Sequence, residues 1–114
     1  MIINLKYIDV ILPLPVKGTF TYITDQDNLL VGQRVIVQFG VRKLYAAIIK
    51  EVHDRMPSEY EAKPLLAILD EPPIVNSIQL KFWDWIASYY MCTLGNVMHA
   101  ALPSSLKLAS ESRV

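Results

Sequence analysis

The sequence predicts a mainly β domain, a small antiparallel barrel or sandwich, with a helical carboxyl-terminal segment. Three observations carry that expectation. Before residue 70, short stretches rich in Ile, Val, Leu, Thr and Tyr alternate with turns built from Pro, Gly and polar residues. Beyond residue 76 the apolar residues recur at helical spacing. The 114 residues are 53% hydrophobic and 19% charged, which suits one packed domain and excludes a disordered tail.

The elements follow in order. Ile2 to Leu12 is rich in Ile, Val and Leu and ends at Pro13-Leu14-Pro15, which cannot continue a sheet ladder. After a Lys17-Gly18 turn, Thr19 to Thr24 reads as a strand from its β-branched and aromatic content. A polar turn at Asp25 to Asn28 precedes a third strand, Arg34 to Phe39, in which Val35 and Val37 alternate with Arg34, Ile36 and Gln38. Gly40 follows, where a positive φ or a close backbone approach is easily accepted. Arg42 and Lys43 form a basic loop, Leu44 to His53 a fourth strand, and Leu65 to Leu69 a short fifth.

Asn76 or Ser77 can cap the first helix. Ile78, Phe82, Trp85, Ile86 and Tyr89 share one face, expected to pack on the barrel, with Trp83 off that face and exposed. Gly95 suits a helix stop, and Asn96 a cap for a shorter helix over Val97 to Leu102 that ends at Pro103. The tail is polar and reads as the start of a linker.

Lys plus Arg and Asp plus Glu both number 11, so net charge is zero and a long basic nucleic-acid surface is not expected. One cysteine, Cys92, excludes a disulfide framework and reads as a buried structural thiol. No signal-peptide pattern and no run of about 18 apolar residues occurs, so a cytoplasmic domain without membrane contact is expected. His53 and His99 lack ligand spacing, so no metal site is expected. No phosphate-cradling glycine loop and no nucleophile constellation is present, so the chain reads as a binding domain rather than an enzyme. If the loops met at one rim, Phe20, the backbone of Gly40 and the cations Arg42, Lys43 and Lys63 would form a pocket suited to one nucleotide.

The order of segments carries a resemblance. VILPLPVKGTFTYI (10–23), GQRVIVQFGVRK (32–43), AAIIKEV (46–52), LLAILDEPPIV (65–75) and FWDWIASYYMCTLGNVMHAALP (82–103) together closely resemble the amino-terminal domain of the bacterial primosomal replication-restart helicase family, primosomal protein N-prime. The resemblance covers residues 6 to 107.

It implies a domain over residues 1–107 that holds the 3′ end of the nascent leading strand at abandoned replication forks, with 108–114 opening a linker. The implied partners are single-stranded or fork DNA with a 3′ end and, through the longer parent, other primosome and replication proteins. ATP and zinc would belong to later domains, and no cofactor is expected here. Carried over by position, the pocket aromatic falls on Phe20, the exposed glycine backbone on Gly40 and the pocket lysine on Lys63. Thr21 stands where the family motif often has Asp. A threonine hydroxyl accepts or donates but carries no charge, so Asp25 or Asp27 is a candidate source of that charge. Arg42 and Lys43 are candidate phosphate contacts. The combined expectation is a small OB-like antiparallel barrel that binds DNA ends. The alternative is a protein-docking module of the primosome, which an exposed Trp83 or Tyr90 would favour; a weaker third reading is a substrate-positioning domain of an enzyme.

Overall fold

A computed structural model describes residues 6–26, 29–41, 43–55, 57, 62–69 and 73–102. Its strands are β1 (Lys6–Ile11), β2 (Phe20–Thr24), β3 (Arg34–Gln38), β4 (Leu44–His53), β5 (Lys63–Pro64) and β6 (Ala67–Ile68), followed by helices α1 (Ser77–Tyr90) and α2 (Leu94–Ala101). The β3 and β4 boundaries agree with the sequence reading to within a residue. The fifth strand does not: residues 65–66 interrupt it, leaving two-residue pieces on either side.

That interruption lets one segment reach both edges of the sheet. The sheet order is β5-β2-β1-β4-β3-β6, so β5 and β6 lie at opposite edges of one sheet. Yet only Leu65 and Leu66 separate them in sequence. Lys63 and Pro64 pair in parallel with Tyr22 and Ile23, while Ala67 and Ile68 pair with Ile36 and Val35. The amides of Leu65 and Leu66 then donate to opposite edges, to the Ile23 carbonyl at 2.9 Å and the Ile36 carbonyl at 3.1 Å. A single short segment therefore stitches β2 to β3, and the sheet curls into an OB-like half-barrel. The segment covers part of the β2 and β3 edges that an open sheet of this size would present.

The residues on β4 show why it reads as an uninterrupted apolar run. Ala47 and Ile49 join Ile8, Val10, Leu12, Tyr22, Val35 and Val37 inside the barrel. Ala46 and Ile48 face outward and are covered by Leu80, Trp83, Val97 and Met98 of the helices. A strand buried on both faces loses the polar alternation of a half-solvated one.

Both helices begin with reciprocal caps. At α1 the Gln79 amide donates to Asn76 Oδ1 at 2.8 Å and the Asn76 amide to Gln79 Oε1 at 3.0 Å. At α2 Thr93 and Asn96 exchange the equivalent bonds at 3.0 and 3.2 Å. These pairs satisfy amides that the first turn leaves unbonded. Asn96 is thus the partner of the Thr93 cap rather than the cap itself.

Two helix expectations are corrected. The first helix ends at Tyr90, capped by Met91 in the left-handed region with φ 55°, and not at Gly95. Gly95 lies inside α2, where a Cβ would collide with the carbonyl oxygens of Leu12 and Leu14. Its lack of a side chain serves close helix–loop packing, not a turn. The larger correction concerns the face of α1. Leu80 and Trp83 are its buried residues, with Ile86 and Ala87 packed beside them. Ile78, Phe82, Trp85 and Tyr89 are exposed, so the aromatic stripe points away from the barrel. Both stripes have helical spacing, and the expectation followed the bulkier one. The Lys50–Asp84 ion pair at 3.2 Å is consistent with the observed rotation, because it ties the residue after Trp83 to β4.

Candidate nucleic-acid interface

The barrel topology gathers three loop ends. The β1–β2 connection leads into Phe20, the β3–β4 hairpin leaves β3 at Gln38, and β5 starts at Lys63. Because β2 and β5 run parallel and β3 runs opposite to both, these termini meet at the same end of the barrel. There Phe20, Thr21, Tyr22, Gln38, Phe39, Gly40 and Lys63 line a cavity of about 230 Å³. Four residues singled out from the sequence, Phe20, Thr21, Gly40 and Lys63, thus share one wall-and-floor arrangement although they span 44 positions of chain.

The cavity is held by specific contacts. Phe20 and Phe39 meet edge to face, centroids 4.8 Å apart at 65°, a favourable geometry for the ring quadrupoles. The buried Tyr22 donates its hydroxyl to the Gln38 carbonyl at 2.7 Å, joining β2 to the end of β3 beneath those rings. The Phe39 amide donates to the Lys43 carbonyl at 3.0 Å and closes the hairpin loop. Gly40 follows with φ +77°, and a Cβ there would meet nothing within 4 Å. The glycine therefore answers a backbone demand and leaves its peptide open to a ligand. Lys63 is exposed and brings a cation to the rim through its pairing with Tyr22.

The remaining candidates divide. Lys43 is exposed on the hairpin that carries Gly40, but it is not among the cavity-lining residues. Arg42 and Asp27 lie outside the described residues. Asp25 follows Thr24, at the end of β2 away from Phe20, about 16 Å along the strand, so it is not the carboxylate beside Thr21. Asp9 is. It stands opposite Thr21 in the β1–β2 register, and Thr21 Oγ1 donates to Asp9 Oδ1 at 2.7 Å. His53 Nε2 lies 2.8 Å from the same oxygen. The sequence reading named Thr21 but missed Asp9 and the His53 contact behind it: Asp9 and Thr21 are twelve residues apart, and only the hairpin register joins them.

A larger and more open depression of about 820 Å³ lies between the Leu29–Val31 segment and the start of α1. Its sole charged lining residue among those described is Glu51, so it offers no attraction to phosphate. Among the described residues no group of acidic, His or Cys side chains is arranged to hold a metal, and no helix is long and apolar enough to cross a membrane. Cys92 is half-buried and packs against the core under the helices.

The site is thus a small cavity with an aromatic wall, an exposed glycine and one rim cation. Comparison with known proteins decides the matter of kinship. Residues 9–103 match the family model described as 3′DNA-binding domain (3′BD). The chain belongs to this family. Replication restart protein PriA of Haemophilus influenzae is 34% identical over 107 residues, which is 90% of this chain and 14% of that protein. PriA of Treponema pallidum is 27% identical over 106 residues, 86% of this chain and 16% of that protein. PriA of Buchnera aphidicola is 26% identical over 100 residues, 87% and 14% respectively. The chain thus spans about one-seventh of the length of these relatives and corresponds to their 3′BD. As a 3′BD it is a DNA-binding domain, in agreement with the expectation of a binding domain rather than an enzyme.

Proposed function

We propose that the cavity at the barrel end holds the terminal nucleotide at a DNA 3′ end, and that the domain thereby captures the nascent leading strand at stalled or abandoned replication forks during replication restart. The observation that carries this reading is the convergence of Phe20, Thr21, Gly40 and Lys63 on one cavity. Phe20 and Phe39 supply an apolar wall against which a base or sugar packs. Gly40 offers its peptide for hydrogen bonding, and Lys63 meets the sugar or the adjacent phosphate. Lys43, on the neighbouring hairpin, and Arg42, next to it in sequence, would add phosphate contacts. The cavity, of about 230 Å³, is small on the scale of a nucleotide chain, which supports its holding a single nucleotide. Zero net charge agrees with recognition of an end, since a long phosphate footprint requires more cations.

Fluorescence anisotropy with three oligonucleotides of one sequence tests the reading. One ends in a free 3′-hydroxyl, one in a 3′-phosphate, and one offers only a 5′ end. Preference for the free 3′-hydroxyl, lost in Phe20→Ala and Lys63→Ala, is expected. Equal binding to all three would replace end capture with backbone tracking.

The exposed stack on α1 favours a second role, docking onto a protein of the primosome. Phe82 and Trp85 stack at 6.1 Å and 9°, Trp85 and Tyr89 at 5.0 Å and 13°, all on the solvent side. The flanking charges are Lys81 and Asp84, with Asp84 already paired to Lys50, so the face has no cationic surplus for nucleic acid. Partner binding that survives high salt and Phe20→Ala but fails in Trp85→Ala is the corresponding expectation.

A further inference from the structure

The solvent face of α1 carries a regular seam. Ile78, Phe82, Trp85 and Tyr89 follow at spacings of four, three and four residues, and each is more than half exposed. On a helix of 3.6 residues per turn they fall within a sector of about 60°. That spacing is the one by which coiled-coil helices meet. Trp85 stacks on Phe82 one turn before it and on Tyr89 one turn after it. Rings stacked on one another are already ordered, so docking costs little further side-chain entropy. The apolar surface also continues past the seam. Phe82, Ile86 and Tyr90 of α1 line a depression of about 420 Å³ with Val97, Ala100 and Ala101 of α2, and no charged residue lines it among those described.

We infer that this face pairs with the same face of a second copy of the chain, α1 lying antiparallel to α1 about a two-fold axis. The inference rests on the docking role proposed above for the stack and names its partner. Two observations favour a second copy. The first is area. Four rings of about 150–250 Å² each, all more than half exposed, together with Ile78 and Met91 offer roughly 500–700 Å² per copy. A typical monomer's largest apolar patch is about 300–600 Å². Two such faces bury roughly 1,000–1,400 Å² in all, which reaches the lower end of specific interfaces at about 1,200 Å². The second is self-complementarity. The four-three-four spacing reads the same in both directions from a point between Phe82 and Trp85. A copy turned end over end therefore presents the same seam, as a two-fold interface demands. Phe82 of one copy meets Trp85 of the other, and Ile78 meets Tyr89. Lys81, beside the seam, then lies near Ser88 rather than another lysine, while Asp84 is held by Lys50.

Sedimentation equilibrium of the 114-residue chain tests the pairing. The average mass is expected to rise from one chain toward two between about 1 and 500 µM, the range suited to an interface of this small size. Trp85→Glu sets a charge in the seam and is expected to raise the dissociation constant at least about tenfold. Its melting temperature, recorded at low micromolar concentration, stays within a few degrees of the parent because the side chain is exposed. Orientation is read by mixing two copies in the Cys92→Ser background. A nitroxide on Ser77→Cys of one copy is expected to broaden the Tyr89 to Met91 amides of the other, ¹⁵N-labelled copy. Broadening at residues 77–79 instead would mean a parallel pair and overturn the inference. So would a chain that stays single at about 500 µM, or pairing that Trp85→Glu leaves unchanged. A single chain that still binds another primosome protein, and loses that binding in Trp85→Ala, overturns the self-pairing and leaves the docking role standing.

Discussion

The two tryptophans are two positions apart in sequence and opposite in environment, so truncating each makes a sharp contrast. Trp83 is 5% exposed and lies in the core cluster with Leu80, Ile48, Val97 and Met98, whereas Trp85 is 56% exposed. Trp83→Ala removes a buried indole and leaves a cavity between α1 and β4, at a cost of about 3–5 kcal/mol. For 114 residues the total stability is roughly 6–17 kcal/mol, so the variant loses a large part of it. Near the melting transition about 4–8 °C accompanies each kcal/mol in a domain of this size, and a fall of at least about 12 °C is expected. Trp85→Ala forfeits only its stacking on Phe82 and Tyr89. Each such pair contributes about 0.5–1.5 kcal/mol when well packed and less in solvent, so the fall stays within a few degrees. Circular dichroism melting measures both. The Phe replacements add an independent readout: Trp85→Phe leaves a blue-shifted tryptophan shielded from acrylamide, and Trp83→Phe leaves a red-shifted, readily quenched one. A larger melting loss in Trp85→Ala than in Trp83→Ala, or the reverse quenching order, would refute the assigned rotation of α1 and return the aromatic stripe to the core.

Other consequences concern the cavity and its supports. Gly95→Ala drives a methyl into the carbonyl oxygens of Leu12 and Leu14 and is expected to destabilise by about 1–3 kcal/mol or more, read as lowered melting temperature. Phe20→Ala removes the cavity's apolar wall and its contact with Phe39; loss of about 1–3 kcal/mol of base stacking appears as a roughly five- to 150-fold rise in Kd for a 3′-ended oligonucleotide. Salt titration of the same binding is expected to give a log–log slope near −2, if the three proposed phosphate contacts, from Lys63, Arg42 and Lys43, each contribute roughly −0.7 for a single strand; a slope steeper than about −5 would indicate a long phosphate track instead.

The strands were legible because their signals are local. β-branched content and turn residues set β3 and β4 almost to the residue. The seam was not, because strands of two residues carry no period, and Leu65 and Leu66 look like any apolar pair until both sheet edges are placed. Gly40 and Lys63 could be connected to Phe20 only through segment order and family resemblance, since nothing local relates positions so distant in the chain. Asp9 escaped for a related reason: an acid in an apolar strand shows its partners only once register sets it opposite Thr21 and within reach of His53. The α1 face was misjudged because two stripes fit the same period, and side-chain bulk does not decide which one the sheet can accommodate. Trp83 shares a buried cluster with the small Ala46, and Ala87 packs against that cluster, a grouping visible only in three dimensions.

The central claim is that the barrel-end cavity holds a DNA 3′ terminus. Titration of the ¹⁵N-labelled domain with a short thymidine oligonucleotide bearing a free 3′-hydroxyl, followed by amide chemical shifts, tests it most directly. The account predicts that the largest shifts fall on Phe20, Thr21, Phe39, Gly40 and Lys63, and that they vanish when the 3′ end is blocked. Shifts centred instead on Phe82 to Tyr90, or unchanged by blocking the end, would contradict it.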